Sequence, residues 1–505
     1  MRFFQNVKTA LHSHLNWSLL ILAFLFALLS CLLFSTSTSP LYPANNADLI
    51  ALDSNLFLYE AKLWLQGKTP YLDFYDHKGL YHVAIDVIGI SLFGGRYGVF
   101  FLQILFDTAS LYGLFMTFAL FRKDGMIPLL SGIFFLFFYA MGAGGNNEAE
   151  WILPFVSWAF YAETRAIIEG RLLYFRLGAF LARLEMGFSL NSRPLDGLWG
   201  GAILIAYFVY YLVHKSGIEL LYEALFVLLG CGIPFAIFLP IASSGGYLNL
   251  MFTSIFVDSL AYVKYDSEPL MRWLNRLLLL AFFAMALLLY LFEKKNGSKD
   301  IASFYFVSAD VALVLYFVVA RYTSYYWSGY TFFLLNAGYA LSLCPSFFKG
   351  HPWTQKALYS TISSFVVIWF TILVSLYYTV GWHSFSYSSS KKIQEAVVSL
   401  IDEDERTIPG KVYAIDCDAA LYTDGNIVVN NRYFVNQSHW AEFHPEAKAS
   451  VDDYLSSSSR PDYVIFNRRD EITEANFGTI VRLYYTEVAG SLEASGGAFI
   501  LYKAK

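Results

Sequence analysis

The strongest constraint on this chain is a long uncharged stretch near its N-terminus. No Asp, Glu, Lys or Arg occurs between Lys8 and Asp48, and residues 17–34 form a run of 18 mainly apolar residues. Such a run is long enough to cross the hydrocarbon core of a bilayer. It is also longer than the apolar core of a cleavable signal peptide. We therefore expect an uncleaved membrane helix here.

Ten further runs are long enough, or nearly long enough, to cross a bilayer. They centre on residues 97–121, 126–143, 149–162, 177–191, 197–213, 218–241, 276–292, 301–320, 326–344 and 357–380. The predicted fold is therefore a polytopic α-helical membrane protein with about eleven transmembrane helices.

Charged residues divide the chain into two predicted domains. They make up 45 of the first 386 residues but 30 of the last 119, and only the second share is typical of a water-soluble domain. Residues 387–505 also contain four strand candidates, KVYAIDCD, NIVVNN, RPDYVIFN and GAFILYK, separated by helix-like stretches. We predict a membrane domain over 1–386 and a soluble α/β domain over 387–505.

The basic residues beside the apolar runs set the predicted orientation. With a cytoplasmic N-terminus, thirteen Lys and Arg residues flank the helices on the inside and nine on the outside, in the direction of the positive-inside rule. The C-terminal domain is then extracytoplasmic, and the bacterial cytoplasmic membrane is the preferred location. The first outer loop, about 36–96, contains two segments, 55–66 and 79–94, that are predicted to be interfacial helices.

Charge and cysteine content exclude some classes of function. The net charge is +1 over 1–386 and −6 over the remainder, so neither domain has the basic field that nucleic acid requires. Three of the four cysteines lie in apolar runs, and only Cys417 lies in the soluble part. No disulfide framework is expected.

The outer loop contains the segment DSNLFLYEAKLWLQGKTPYLDFYDHKG, residues 53–79. This segment has an Asp just after the first span, an amphipathic helix, a Gly followed by Pro-Tyr, and a Lys before the next helix. The pattern resembles the GT-C membrane glycosyltransferases. Among these are protein O-mannosyltransferases, the lipid A aminoarabinose transferase and bacterial lipopolysaccharide glycosyltransferases. GAGGNNEAEW, GFSLNSRPLDG and ARYTSYYWSGY extend the resemblance over about 345 residues. Many members have an acidic pair where this chain has Asp53-Ser54, and Lys-Pro where it has Lys78-Gly79. The subfamily and the substrate therefore cannot be inferred from the resemblance.

The resemblance implies inverting sugar transfer from a polyprenyl phosphate, preferably undecaprenyl phosphate, to a glycan, lipid or protein acceptor at the outer membrane face. Asp53 suits the role of general base. Lys78, Arg193 and Arg321 are candidate ligands of the donor phosphate. Glu148 or Glu150 is the candidate second acidic group, which binds the acceptor or a divalent cation.

Simpler roles remain open for these residues. Asp53 is also suited to cap the 55–66 helix, Glu148 and Glu150 to stabilise a helix N-terminus, and the three basic residues to anchor helices at the headgroups. Outer-loop residues are the remaining candidates to line the substrate site: Tyr71, Asp73, Tyr75, Asp76, His77, Tyr325 and Tyr326.

No cofactor is required by this interpretation. A divalent cation stays an open alternative, because Asp73, Asp76, His77 and His82 are ligand types close in sequence. Four charged residues lie within predicted spans, and they serve either as buried polar contacts or as a proton relay: Asp107, Asp310, Arg183 and Glu185. A relay would favour the rival function of a polytopic lipid or glycan transporter or flippase. A second rival is an inert assembly protein.

Overall fold

A computed structural model describes residues 16–35, 37–41, 52–121, 126–141, 145–214, 217–259, 396–424, 427–468 and 471–505, with a few single residues between 291 and 311. In the N-terminal part the helices are α1 (Trp17–Phe34), α2 (Leu52–Leu65), α3 (Tyr81–Phe93), α4 (Arg96–Phe121), α5 (Met126–Met141), α6 (Glu148–Glu169), α7 (Leu172–Leu190), α8 (Gly197–His214), α9 (Gly217–Ser244) and α10 (Leu248–Phe252). A 3₁₀ turn (Pro194–Asp196) precedes α8, and a π-helical segment (Thr253–Asp258) follows α10.

The seven long helices α1 and α4–α9 coincide with the first seven apolar runs of the sequence. Their packing places α6 against α4 and α7, while α1 packs against α4 and α5. Small residues allow close approach: a Cβ at Gly113 of α4 would lie 3.1 Å from the Cβ of Ser157 on α6. The predicted spans centred on 276–292, 301–320, 326–344 and 357–380 lie largely or wholly outside the described residues.

The described bundle exposes apolar side chains and buries polar ones. On α9, Leu229, Ile233, Ile237 and Ile241 repeat every fourth residue and are 38–63% exposed, a spacing that places them on one helix face. Two described helices, Trp17–Phe34 and Arg96–Phe121, are long and apolar enough to cross a membrane by length and composition. The exposed stripe is a contiguous apolar surface of the kind that contacts a membrane or another protein.

Both helices predicted in the first outer loop are present, as α2 and α3. Four residues at helical spacing in and just after α2 lie in different environments: Asn55, Tyr59, Lys62 and Gln66. Asn55 and Tyr59 are buried, whereas Gln66 is exposed. The burial of the first two residues comes from contact with the C-terminal domain.

The C-terminal domain is a four-stranded sheet with helices. Its strands are β1 (Val412–Ile415), β2 (Tyr463–Asn467), β3 (Tyr485–Glu487) and β4 (Phe499–Ala504), in the order β1-β2-β4-β3. The pair β1–β2 is parallel and the other two pairs are antiparallel. The accompanying helices are α11 (Glu403–Arg406), α12 (Ala420–Asp424), α13 (Gln437–Phe443), α14 (Pro445–Ser456), α15 (Glu471–Tyr484) and α16 (Ser491–Ala494).

Three of the four strand candidates are confirmed, and NIVVNN is wrong. Its described residues, 427–431, form no strand. The Tyr59 hydroxyl of α2 donates to the Ile427 carbonyl at 3.0 Å and accepts from the Val429 N–H at 3.2 Å. The Ile427 carbonyl and the Val429 N–H would pair with a neighbouring strand if this segment were a strand. Here they bind α2 instead.

Helix α2 lies between the C-terminal domain and the rest of the outer loop. One hydrophobic core contains Leu56, Phe57 and Leu63 of α2 together with residues of β1, β2 and β4. At the same contact, the Asn55 amide donates to Asp418 at 3.4 Å. The opposite side of α2 packs against α3, so this helix joins the two parts of the chain.

Candidate functional site

The loop between α2 and α3 is a strained turn that fixes the backbone of Lys78. Tyr71 has a φ of 62°, a conformation that is costly for a bulky residue. Its hydroxyl donates to the Lys78 carbonyl at 2.7 Å, and its side chain is 2% exposed. Burial and this hydrogen bond hold the turn, a type of strain that is concentrated at functional positions.

Gly79 brings the Lys78 loop against the turn after α7. The Gly79 N–H donates to the Ser192 carbonyl at 2.6 Å, and the Tyr81 N–H donates to the Asn191 carbonyl at 2.8 Å. A Cβ at Gly79 would lie 2.2 Å from the Asn191 carbonyl carbon and oxygen. Only glycine allows the two backbones to approach this closely, and the approach places Lys78 near Arg193.

Lys78 and Arg193 meet at the carboxylate of Glu148. Lys78 Nζ is 3.2 Å from Glu148 Oε1, and Arg193 Nη1 is 3.6 Å from Glu148 Oε2. Lys78 also lies 3.8 Å from Asp76, and the Arg193 guanidinium makes two hydrogen bonds to Asp196, of 2.8 and 3.0 Å. We call these five residues the Lys78 cluster; all are at most 9% exposed.

The sequence GGNNEAE presents Glu148 to the two cations. Asn147 is the N-cap of α6, and its side chain accepts a hydrogen bond from the Glu150 N–H at 3.2 Å. Glu148 is thus the first residue of the helix, where a negative charge is stabilised by the helix dipole.

The surroundings of Asp76 and His82 set their charge states. Burial alone would raise the pKa of the Asp76 carboxyl, but the charge of Lys78 and a hydrogen bond from His77 lower this pKa below its usual range. Burial lowers the pKa of His82 to about 4, even though Glu148 and Asp76 oppose the shift. At neutral pH, Asp76 is therefore ionised and His82 is neutral.

Asp53 lies in the first turn of α2 and is half-buried. The helix begins at Leu52, one residue before Asp53, so Asp53 is inside the helix rather than at the N-cap position. Phe57 follows four residues later, on the same face of the helix. The Phe57 ring centroid is 4.6 Å from Lys78 Nζ, so the residue one turn after Asp53 contacts the Lys78 cluster.

Glu150 lies in a different environment from Glu148. It accepts hydrogen bonds from the Tyr139 hydroxyl at 2.6 Å, from the Gln103 amide at 3.1–3.2 Å and from the Asn146 N–H at 2.6 Å. Asp107 lies close to Glu150 and accepts from the Cys31 thiol at 3.4 Å. We call the set of Cys31, Gln103, Asp107, Tyr139 and Glu150 the Asp107 network; it contains two of the acids that the sequence predicted separately.

The aromatic residues of the outer loop contact protein in the described structure. The Tyr75 hydroxyl donates to Asp258 at 2.7 Å and lies 3.1 Å from His444, which itself is 3.0 Å from Asp258. The ring of His77 packs 5.1 Å from that of Trp440. Both residues thus join the loop to the C-terminal domain rather than lining an open surface.

The remaining predicted residues are divided between solvent and the undescribed part of the chain. Asp73 is exposed and accepts a hydrogen bond from the Thr69 N–H at 2.7 Å, so it stabilises its own turn. Arg321, Tyr325 and Tyr326, along with Asp310, lie outside the described residues.

Sequence reasoning missed Glu60 and the turn residues Ser192 and Asp196. Glu60 follows Asp53 by seven residues and Phe57 by three, a spacing that places all three on one helix face. A helical projection of α2 from Asp53 would have identified Glu60. Ser192 and Asp196 flank the predicted Arg193, but only the fold brings them to the loop of Lys78.

Comparison with known proteins adds no family to this description. No protein-family model matches the chain, and the search of curated proteins gave no match.

Proposed function

We propose that this protein is an inverting glycosyltransferase of the GT-C type that transfers a sugar from a polyprenyl phosphate, preferably undecaprenyl phosphate, to an acceptor at the outer membrane face. The observation that supports the proposal is the convergence of Lys78 and Arg193 on Glu148, next to the helix whose first turn contains Asp53 and whose Phe57 contacts Lys78. A lipid-linked donor requires cationic groups for its phosphate and a base for the acceptor hydroxyl.

The two cations suit the phosphate of the donor. As the bond between the sugar and the phosphate breaks, negative charge develops on the leaving phosphate, and preorganised cations stabilise that charge. Arg193 offers a planar fork of donors and Lys78 a compact ammonium group. Burial strengthens both interactions because little water screens them.

Asp53 suits the base. In the proposed step, its carboxylate takes the proton of an acceptor hydroxyl as the acceptor oxygen bonds to the anomeric carbon. The bond between that carbon and the phosphate oxygen breaks on the opposite side. The products are an inverted glycoside and a polyprenyl phosphate, while Asp53 carries the proton until solvent removes it.

Glu148 suits the role of a positioning residue. Its two oxygens contact the two cations separately, at 3.2 and 3.6 Å. It therefore holds Lys78 and Arg193 at one place in the absence of substrate. A donor phosphate would then meet preorganised cations, which lowers the cost of binding.

The acceptor is assigned only by class, as a cell-envelope glycan, lipid or protein. His444 of the C-terminal domain contacts both Tyr75 in the loop of Lys78 and Asp258. This contact supports a role for the domain in selecting the acceptor.

The test is transfer by the purified protein in lipid, supplied with a panel of radiolabelled polyprenyl-phosphate sugars and a membrane extract. Asp53→Asn should lower transfer by about 10³-fold while donor binding is kept, since general base catalysis contributes about 10²–10⁴-fold. Asp404→Asn, an exposed acid of α11 with the same change of charge, is the matched control. Full transfer by Asp53→Asn, or no donor consumed by the wild type, would contradict the proposal.

A transporter or flippase is the alternative, and the Asp107 network is the observation that favours it. Buried carboxylates among helices are typical of proton-coupled transport. The same proteoliposomes distinguish the two functions, because a transporter would move intact donor across the bilayer and release no product with a new glycosidic bond.

A further inference from the structure

Three buried side chains from separate segments meet behind Lys78. Glu60 of α2, Asp76 of the following loop and His82 of α3 each offer a ligand atom, and the three atoms lie within 4.8 Å of one another. The residues are 1%, 6% and 1% exposed. We call them the Glu60 trio.

Two members of the trio carry polar atoms that no described residue satisfies. Within the described part of the chain, the two carboxylate oxygens of Glu60 and the Nε2 atom of His82 have no hydrogen-bond partner. Burying such groups without a partner is unfavourable, because they lose their hydrogen bonds to water. A bound ion would remove this cost.

The His82 ring is already oriented for such a role. Its Nδ1 atom lies 3.1 Å from the Ser192 hydroxyl, which leaves Nε2 as the atom available to a ligand. Metal-binding histidines usually engage their second nitrogen in a hydrogen bond of this kind.

The charges around the trio favour a cation. Lys78 lies nearer to Glu148 than to Asp76, 3.2 Å against 3.8 Å, so its charge is shared between them. Glu60 adds another buried carboxylate to this group, and a divalent cation would balance the excess of negative charge.

We propose that Glu60, Asp76 and His82 bind a divalent cation of the Zn²⁺ class. One imidazole nitrogen with two carboxylates suits Zn²⁺ better than Mg²⁺ or Ca²⁺, which take oxygen ligands. Three protein ligands leave the fourth tetrahedral position open. The ion ties α2, the Lys78 loop and α3 together, and its binding does not depend on the proposed transferase activity.

A second group of ligand types, Cys31, Asp107 and Glu150, is better explained without a metal. The Cys31 thiol donates to Asp107, and Glu150 already accepts from three donors. This group therefore supplies the control for the experiment.

The test is the Zn²⁺ content and affinity of the purified full-length chain in detergent, after removal of metal with a chelator. Wild type and Cys31→Ser should bind about one Zn²⁺ per chain, and excess Mg²⁺ should not displace it. Glu60→Gln and His82→Gln should each lower the affinity by at least about tenfold. No binding by the wild type, or unchanged binding by both trio variants, overturns the proposal.

X-ray absorption of the Zn²⁺-loaded wild type keeps the proposal testable if a trio variant fails to fold. Nitrogen and oxygen neighbours with imidazole scattering are expected, and a sulfur neighbour would overturn the assignment. Neither measurement uses a sugar donor, so failure of the metal site and failure of the transferase are separate results.

Discussion

Glu148 and Glu150 are separated by one residue in the first turn of α6, yet they lie in opposite surroundings. Residues two apart on a helix point to different sides. Glu148 faces the cations Lys78 and Arg193, whereas Glu150 faces the neutral donors Tyr139, Gln103 and the Asn146 N–H. An acid balanced by cations can share them with another anion, while an acid held by neutral donors stabilises the fold.

The largest expected effect comes from removing the shared cation. Lys78→Met keeps much of the side-chain volume but leaves Asp76 and Glu148 with one cation fewer. Breaking a buried ion pair in this way costs about 3–5 kcal/mol, so we expect a lower thermal unfolding midpoint and loss of donor binding. The measurement is thermal unfolding in detergent with and without donor. An unchanged midpoint would show that the cluster is more solvated than its burial indicates.

The next effect separates the two acids directly. Glu148→Gln keeps the shape of the side chain but removes the charge that holds both cations, and we expect kcat/KM for the donor to fall about 100-fold, or about 2.7 kcal/mol. Glu150→Gln should stay within about threefold of wild type. Steady-state kinetics of the two variants, assayed side by side, provide the measurement. Equal losses of kcat/KM in the two variants would contradict the different roles of Glu148 and Glu150.

The smallest effect concerns the backbone contact that brings the cations together. In Gly79→Ala the new Cβ would lie 2.2 Å from the Asn191 carbonyl. Such overpacking costs about 2 kcal/mol and should weaken donor binding by moving Lys78 away from Arg193. Gly201→Ala is the control, because a Cβ there meets nothing within 4 Å. Chemical unfolding of both variants gives the difference, and equal stability would contradict the role of Gly79.

Parts of this arrangement were accessible from sequence because they depend on local pattern. Long apolar runs predicted α1 and α4–α9, and the segments 55–66 and 79–94 predicted α2 and α3. These predictions required only apolar length, helical periodicity and the position of charges along the chain. Lys78 and Arg193 were named as candidate phosphate ligands alongside the family resemblance, and that role stays a prediction.

Other parts depend on contacts between distant segments. The meeting of Lys78 and Arg193 results from hydrogen bonds between the backbones of Gly79 and Ser192, which no spacing rule contains. The segment NIVVNN does not form the predicted strand because two of its backbone groups hydrogen-bond to the Tyr59 hydroxyl. Glu60 was not predicted because only the fold brings Asp76 and His82 next to it.

The contact between α2 and the C-terminal domain also sets an order for biosynthesis. Asn55 and Tyr59 bind groups of Asp418, Ile427 and Val429, which are synthesised more than 360 residues later. A ribosome adds about 5–20 residues per second, so α2 waits roughly 20–70 s for its partner. The helix that carries Asp53 thus gains its full support only near the end of translation, and a chain that terminates before Asp418 would leave α2 without these contacts.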